Sequence, residues 1–198
     1  MMIRLRRLLA IGLFYQAVLS SGCGGEKGPM PMEVRSFRRV MGSLASGVTV
    51  VTTRDRAGQP RGLTATAVCL VSLDPPLLLV CVDHNAECHE AFCTAGTFAV
   101  HLLREGQETL SRRFARKDSL KFEGVSHRQG VTGAPILADV LASVECRVHA
   151  RYTGGDHTIF VGEAVHSSGI PPGEAGAPLV YFQGRYAHLG HRLPREAP

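Results

Sequence analysis

Two histidines and two cysteines, side chains that commonly bind transition metals, fall within the ten residues HNAECHEAFC. His84, Cys88, His89 and Cys93 form the pattern H-x-x-x-C-H-x-x-x-C. If residues 86–95 are helical, His89 and Cys93 lie one turn apart on one face, whereas Cys88 lies about 100° around the helix from His89. His84 precedes that helix, so one ion does not easily reach all four side chains, and the sequence has no C-x-x-C pair to complete a tetrahedral site. We therefore predict no metal site.

Hydroxyls, an imidazole and a run of cations are the other groups that could do chemistry. Thr64 and Thr66 stand beside Gly62 in the strand-like segment GLTATAV, where threonine is also common for conformational reasons alone. His157 follows a glycine pair in GGDHTIF, which places its imidazole at the end of a hairpin; a solvent-exposed turn histidine is the alternative. Five cations lie within ten residues, and such a run of charge usually forms the solvent-exposed face of a helix: Arg112, Arg113, Arg116, Lys117 and Lys121.

A single mainly β domain is predicted to position these groups. The chain has 198 residues, 44% of them hydrophobic, which is enough for one domain with a substantial core. Apolar residues at helical spacing predict an opening amphipathic helix that begins near residue 33 and is closed by Gly47. The remaining pattern predicts a hairpin with its turn at 55–60, a buried strand over 77–82, helices near 87–95 and 107–115, and strands over 97–103, 140–152, 157–165 and 178–186. Antiparallel strands with a few inserted helices favour a barrel with helical decoration.

The predicted strand over 140–152 alternates cleanly between apolar and polar residues. One face takes Val144, Cys146, Val148, Ala150 and Tyr152. The other face takes Glu145, Arg147, His149 and Arg151. This period of two is typical of a strand with one face in the core and one in solvent.

Basic charge is concentrated at the start of the chain. Residues 1–31 carry +3 of the formal net charge of +5, and no basic stripe with interleaved aromatics follows, so we do not expect nucleic acid binding. The segment has the layout of a secretory or lipoprotein signal, but Met30 and Met32 make a spurious extension an equal alternative. Its apolar stretch, residues 8–19, is too short to predict stable membrane insertion. We predict a leader over 1–31, a folded domain over 32–190 and a flexible tail over 191–198.

The cysteines bear on the compartment in which the protein works. Cys69 and Cys81 lie in apolar strand-like runs, and Cys146 alternates with valines. We interpret them as buried free thiols rather than as members of disulfides, which predicts a reduced, cytoplasmic protein. The alternative, if residues 1–23 are a true signal, is an exported or lipid-anchored protein.

Ten segments, in order along the chain, resemble the flavin reductase family with the FMN-binding split-barrel fold, from about Phe37 to Leu189: FRRVMGSLASGVTVVTT, GLTATAVCLVSLDPPLLLVCVD, CHEAF, FAVHLL, LSRRFA, KFEGV, GAPIL, ECRV, GDHTIFVGEA and LVYFQGRY. The resemblance implies a homodimeric, six-stranded antiparallel split barrel that reduces FMN or FAD with NADH or NADPH. The reduced flavin would then supply a separate monooxygenase or halogenase. Two alternatives remain: a non-enzymatic flavin carrier or redox sensor, and a pocket that oxidises a tethered intermediate with bound FMN.

The same resemblance implies roles for individual residues. His157 would position the nicotinamide as the catalytic residue. The isoalloxazine and ribityl chain would be held by Gly62, Leu63, Thr64, Ala65, Thr66 and Ala67. A phosphate loop would comprise Asp83, His84, Asn85, Cys88 and His89. The remaining flavin-binding candidates are Phe114, Ala115, Lys121, Arg185 and Tyr186.

The predicted phosphate loop departs from the family pattern. Family members commonly have serine and threonine where this chain has Ala86 and Cys88. Without those hydroxyls, phosphate binding would depend on backbone amides, on a helix N-terminus near Ala86, or on His84 and Asn85. Beside a phosphate site Cys88 is expected to be a somewhat acidic thiol. A related change places His101 where similar family segments have asparagine.

Overall fold

A computed structural model describes residues 32–118, 120–169 and 176–190. The predicted leader over 1–31 and the predicted tail over 191–198 lie outside the described residues. The chain divides into two compact units, Met1–Phe37 and Arg38–Pro198. The site residues predicted above all belong to the second unit. None of the helices in the described part of the chain is long and apolar enough to cross a membrane.

Strands dominate the described residues, as the alternating apolar runs predict. The helices are α1 (Val34–Met41), α2 (His89–Thr94) and α3 (Glu108–Phe114). The strands are β1 (Ser46–Gly47), β2 (Thr49–Arg54), β3 (Pro60–Ala65), β4 (Val68–Leu73), β5 (Pro76–Asp83), β6 (Thr97–Leu102), β7 (His127–Gln129), β8 (Pro135–Leu137), β9 (Ala142–Gly154), β10 (His157–Gly169), β11 (Val180–Phe182) and β12 (Arg185–Ala187). The predicted fold class, a mainly β antiparallel split barrel with decorating helices, is confirmed.

The main sheet has seven strands rather than the six that the resemblance implies. Its order is β3-β2-β6-β9-β10-β5-β4, and each neighbouring pair is antiparallel. The strands β3 and β4 are therefore its two edges, although they follow one another in the chain. Smaller antiparallel sheets are formed by β1-β11-β12 and by β7-β8. This topology leaves β3, the strand with the predicted flavin residues, with a strand neighbour on one side only.

Two apolar clusters hold the sheet together. The first packs Phe92 of α2 against Phe98 and Phe160 of the sheet, and all three side chains are fully buried. The second packs Phe114 of α3 against β2 and the start of β11, with Leu103 beside it. Full burial of one such side chain contributes about 1.5–3 kcal/mol, so these contacts fix α2 and α3 against the sheet. The two short helices are thereby held at fixed places beside β3 and β5.

The first helix is shorter than its apolar spacing predicts. It ends at Met41, and Ser46–Gly47 form strand β1 instead of the last helical turn. Gly47 pairs with Val180 in the small sheet, which draws this segment away from the helix. Sheet pairing to a distant part of the chain overrides the local pattern here.

Glu145 is buried, although the alternation of β9 predicts an exposed side chain. It is only 1% exposed, and its Oε2 accepts hydrogen bonds from the Thr132 N–H and hydroxyl, both at 2.8 Å. The segment 130–134 covers this face of β9, and a side chain at Gly130 would collide with the carboxylate. The alternation correctly predicts a buried Cys146, but Tyr152 on the same predicted face is 59% exposed, and the pattern does not reveal the loop that covers Glu145.

The prediction of buried thiols fails at Cys69 and holds at Cys146. Cys146 is fully buried, and burial raises its pKa to about 12, whereas Cys81 is only partly buried. Cys69 is exposed because β4 is an edge strand whose apolar residues lack a cover; Leu70 is 67% and Leu73 is 79% exposed. All five cysteines of the described residues are free.

Candidate functional site

A buried serine joins two of the predicted flavin residues beside the edge strand β3. The Thr64 hydroxyl donates to the Ser111 carbonyl oxygen at 2.6 Å. The Tyr186 hydroxyl donates to Ser111 Oγ at 2.9 Å, and Ser111 itself is fully buried. We call the group around this serine the strand corner: Gly62, Thr64, Ser111, Phe114, Lys121 and Tyr186. It brings β3, α3 and β12 to one place.

Gly62 lies at the most crowded point of the strand corner. A Cβ atom at this position would lie 2.9 Å from the Val51 carbonyl oxygen and 3.0 Å from Phe114 Cε1. The Lys121 ammonium donates to the Gly62 carbonyl oxygen at 3.1 Å, and this lysine is only 5% exposed. Only glycine allows the Phe114 ring to approach the strand this closely. The predicted Gly62, Phe114 and Lys121 are thus in direct contact.

Other predicted residues surround the strand corner with less contact. Leu63 is partly buried and Ala65 is buried, whereas Thr66 and Ala67 are exposed in the turn between β3 and β4. Ala115 is exposed directly after α3. A groove of about 370 Å³ adjoins Tyr186, and it is lined by Glu108, Arg112, Tyr181, Gly184, Arg185 and Tyr186. The guanidinium of Arg112 lies 4.9 Å from the Tyr186 ring centre, so a cation–π contact orients this ring.

A second group of predicted residues lies where β5 ends and β10 begins. His157 pairs with Asp83 in the register of the two strands, and the His84 N–H donates to the Asp156 carbonyl oxygen at 3.0 Å. We call this group the histidine end: Asp83, His84, Asn85, His89, Asp156 and His157. The hairpin turn Gly155–Asp156 places it at the end of the sheet, as the glycine pair predicts.

The ionisable groups of the histidine end perturb one another. His157 Nδ1 donates to Asp156 Oδ1 at 2.7 Å, and this hydrogen bond and the charge of His157 lower the pKa of Asp156. The Asn85 N–H bonded to Asp83 Oδ1 lowers the pKa of Asp83. With Asp156 on its Nδ1, the His157 ring has its Nε2 for a ligand.

His89 is held more firmly than the other histidine end residues. Its Nε2 is hydrogen-bonded to Thr158 Oγ1 at 2.9 Å, and its ring centre lies 5.1 Å from that of His84. The pKa of His89 is lowered mainly by its partial burial and to a lesser extent by the nearby His84. His89 therefore favours its neutral form, which suits a structural hydrogen bond better than the attraction of an anion.

Cys88 does not have the acidic thiol expected of a phosphate loop. Its side chain is 1% exposed and packs in the core near Phe92, and burial raises its pKa to about 11. The helix begins at His89 rather than near Ala86 and has only six residues. Neither the Cys88 thiol nor a helix N-terminus at Ala86 can therefore replace the missing hydroxyls as a donor to a phosphate.

The histidines and cysteines of the opening pattern diverge in space. Cys93 Sγ lies 3.7 Å from both ring nitrogens of His89, so this pair shares a face as predicted. Cys88 points into the core instead. Within residues 32–118, 120–169 and 176–190 there is no group of three or more His, Cys, Asp or Glu side chains that could hold a metal ion.

One carboxylate links the strand corner to the loop before α2. Glu87 Oε1 lies 3.3 Å from Arg61 Nη1, and Glu87 Oε2 lies 3.7 Å from Lys121 Nζ. We find no hydrogen bond or ion pair of the described residues that joins His157 directly to the strand corner. The predicted site residues thus form two groups, which meet through Glu87 and the loop it belongs to.

Residues 41–190 match the family described as flavin reductase like domain. The chain belongs to this family. It is 45% identical over 154 residues to a flavin reductase (NADH) of Kitasatospora aureofaciens, which covers 77% of this chain and 80% of that protein. It is 43% identical over 155 residues to the reductase component of 4-hydroxyphenylacetate 3-monooxygenase of Thermus thermophilus. That alignment covers 78% of this chain and 95% of the Thermus protein. The solved structure of the NADH:FAD oxidoreductase of Streptomyces globisporus matches with a TM-score of 0.74 at 36% identity. The match covers 89% of this chain and 99% of the Streptomyces chain.

The donor set of this flavin reductase domain fits a flavin. As an edge strand, β3 offers backbone N–H and C=O groups along one side, which suit the alternating donors and acceptors of an isoalloxazine edge. Lys121 and Arg61 supply cations beside the loop where the family resemblance places the phosphate. Exposed Thr66 and Ala67 leave room at the end of the strand.

Sequence reasoning missed the residues that connect the site. Ser111 is three residues before Phe114 and so shares its helix face, a signal that would have marked it as buried. Arg61 and Glu87 had no comparable signal, because they are 26 residues apart and meet only in the folded chain. Asp156 differs from them, because it is the sequence neighbour of His157, the residue to which it is hydrogen-bonded.

Proposed function

We propose that the protein is an NAD(P)H-dependent flavin reductase, which transfers a hydride from NADH or NADPH to FMN or FAD. The match of residues 41–190 to the flavin reductase family carries this proposal. The packed strand corner and the partly exposed histidine end support it, because the first offers a surface for a flat ring and the second offers polar groups for a dinucleotide. A bound flavin supplies the hydride-accepting chemistry itself.

The chain's own residues bind and orient the two nucleotides. The open edge of β3 would bind the isoalloxazine, with Gly62 and Thr64 held in place by Phe114 and Ser111. His157 would orient the nicotinamide through its Nε2, while Asp156 fixes the ring through Nδ1. Such positioning accelerates hydride transfer because the reacting atoms must approach within about 3–3.5 Å.

The proposed activity is tested by steady-state oxidation of NADH and NADPH by the full chain. We expect loss of nicotinamide absorbance that requires added FMN or FAD and protein. No flavin-dependent oxidation with either nicotinamide would contradict the reductase. Flavin binding without oxidation would instead support the non-enzymatic flavin carrier, which the loss of the loop hydroxyls at Ala86 and Cys88 would favour.

We propose that the reduced flavin leaves the protein to serve a separate monooxygenase or halogenase. The similarity to the reductase component of a 4-hydroxyphenylacetate monooxygenase supports this. A flavin used in this way must dissociate readily. We therefore expect the chain to lose most of its flavin on gel filtration, and flavin that remains bound in stoichiometric amount would contradict release.

We propose that the protein is a homodimer. The edge strand β4 exposes Leu70, Val71 and Leu73, which are 67%, 48% and 79% exposed. Long exposed apolar edges in soluble proteins are usually covered by a partner. Light scattering after gel filtration should give twice the chain mass for the native chain and a monomer for Leu70→Asp. The matched substitution Val131→Asp, at a residue 70% exposed in the loop between β7 and β8, should leave the dimer intact.

We also propose a reducing, cytoplasmic compartment and a folded domain over 32–190. The free state of the five described cysteines supports the first, since Cys69 and Cys93 are exposed and open to oxidation. Limited proteolysis followed by mass measurement tests the second. A stable fragment that begins well after residue 32 or ends well before residue 190 would contradict these bounds.

A further inference from the structure

Glu87 places a carboxylate on the cations that a flavin phosphate would need. It lies in the loop between β5 and α2, which the family resemblance assigns to the phosphate. Its two oxygens face different cations, with Arg61 Nη1 at 3.3 Å and Lys121 Nζ at 3.7 Å. Family members commonly have hydroxyl donors in this loop, whereas this chain has an anion there.

Lys121 is a buried ammonium that requires an anion nearby. It is 5% exposed, and its Nζ donates to the Gly62 carbonyl oxygen at 3.1 Å. Burial of an unpaired charge costs several kcal/mol, which a facing carboxylate offsets. The 3.7 Å from Lys121 Nζ to Glu87 Oε2 is longer than a hydrogen bond, so this pair attracts by charge without a direct hydrogen bond.

Arg61, the second cation that contacts Glu87, lines an open groove. Its Nε donates to Asp55 Oδ2 at 2.9 Å, which holds the guanidinium in position. Arg61 and Glu87 both line a groove of about 320 Å³ next to the turn between β2 and β3. The Glu87 side chain is 31% exposed, so it can turn into solvent without disturbing the core.

We propose that Glu87 is a built-in competitor of the flavin phosphate for Lys121 and Arg61. In the flavin-free chain its carboxylate faces Lys121 and also Arg61, which is paired with Asp55 as well, and a phosphate must displace the Glu87 carboxylate to bind. This inference rests on the proposed function and names the residue that sets how weakly the phosphate is held. Weak binding suits a flavin that arrives and leaves as a diffusible substrate.

The prediction concerns the ratio of two affinities, for FMN and for riboflavin, which lacks the phosphate. Glu87→Gln keeps the side-chain shape and removes the competing charge. Fluorescence titration of the full chain should show FMN binding about tenfold more tightly to this variant, with riboflavin affinity unchanged. The matched control is Glu90→Gln, which removes a carboxylate from the same groove but no ion pair to Arg61 or Lys121. It should leave the ratio unchanged.

A purely structural role for Glu87 predicts a different result. Loosening the loop would weaken FMN and riboflavin together, and an unchanged or reduced FMN preference in Glu87→Gln overturns the inference. Lys121→Met should lower the FMN preference, whereas Lys117→Met, at an exposed lysine, should not. If Lys121→Met does not fold, Arg61→Gln provides the same test.

Two further measurements separate this inference from the proposed function. Inorganic phosphate should raise the melting temperature of Glu87→Gln more than that of the native chain. NADH oxidation by the native chain is measured in parallel. Turnover with an unchanged FMN to riboflavin ratio overturns only the role of Glu87, whereas absence of both turnover and flavin binding overturns the function as well.

Discussion

The strand corner and the histidine end are built in opposite ways. In the strand corner, Ser111 and Phe114 are fully buried and hydrogen bonds run between elements far apart in the chain. At the histidine end, the Asp156 side chain is 83% exposed and that of His157 is 38% exposed, and these two sequence neighbours bond to each other. The first region is held by packing, so substitutions there should act through stability. In the second, the His157 side chain is fixed by one hydrogen bond to its sequence neighbour, so its substitution should act through turnover.

A buried titratable residue lies near the strand corner in the main sheet. His101 lies in the same row of the main sheet as Thr64, with Val50 between them. Its Nδ1 donates to the Val50 carbonyl oxygen and its Nε2 accepts the Leu137 N–H. Protonation of this buried ring would therefore disturb the row of the sheet that contains Thr64.

The largest effect should come from acid acting on His101. Burial lowers its pKa from 6.5 to about 4. Well above pH 6.5 the His101 ring is neutral in both the folded and the unfolded chain. As the pH falls from 6.5 towards 4, the ring is protonated in the unfolded chain but stays neutral in the folded chain. Stability should fall over this window by on the order of 3 kcal/mol. Denaturant titrations at pH 7 and pH 4.5 measure the loss, and it should be smaller in His101→Asn; an equal loss in both would contradict this role.

The next effect tests the crowding at Gly62. Gly62→Ala should lower the free energy of unfolding by about 1–3 kcal/mol, because the added methyl group meets the Val51 carbonyl oxygen and the Phe114 ring. Flavin affinity should fall with it. The control is Gly96→Ala, where a Cβ meets nothing within 4 Å. If the two variants unfold at the same denaturant concentration, the strand corner is not packed as described.

At the histidine end, a substitution should change activity without changing stability. His157→Ala should lower kcat/KM for NADH about tenfold, which corresponds to about 1.4 kcal/mol of transition-state binding. Its unfolding free energy should stay within about 0.5 kcal/mol of the native value, because the side chain is 38% exposed and its hydrogen bond is to the exposed Asp156. His149→Ala, on the exposed face of β9, is the control and should retain full activity. Unchanged kinetics of His157→Ala would remove this residue from the site.

The smallest effect concerns the hydroxyl of Tyr186. Tyr186→Phe keeps the ring under Arg112 but removes the hydrogen bond to Ser111 Oγ, which should cost about 1 kcal/mol of stability. Tyr181→Phe, whose ring packs 5.4 Å from that of Tyr186, is the matched control. A loss of turnover in Tyr186→Phe at unchanged stability would show that the strand corner acts in catalysis as well as in packing.

The sequence predicted the elements well wherever local pattern and tertiary packing agree. The hairpin turn near Gly155, the strand at residues 97–102 and the helix with Phe114 are where the pattern placed them. The errors arise where distant chain segments intervene. Glu145 is covered by the segment 130–134, and Cys69 is uncovered because β4 is an edge strand.

The site divides along the same line. Family resemblance predicted Gly62, Thr64, Lys121 and Tyr186, and the structure brings them together. The resemblance did not predict Glu87, because Glu87 contacts Arg61 and Lys121 only in the folded chain, and local sequence spacing does not encode these contacts. Cys88 was assigned to the loop by its position, but its side chain faces the core. Position in a motif predicts the backbone path more reliably than the direction of a side chain.

The most direct test of the account is an anaerobic single turnover of the native chain. NADH is mixed with one equivalent of FMN and protein, and the absorbances of the nicotinamide and of oxidised flavin are followed together. If the protein is a flavin reductase, both absorbances should fall at one rate, in equal molar amounts, and far faster than without protein. Loss of neither absorbance, or loss at the protein-free rate, would contradict a flavin reductase.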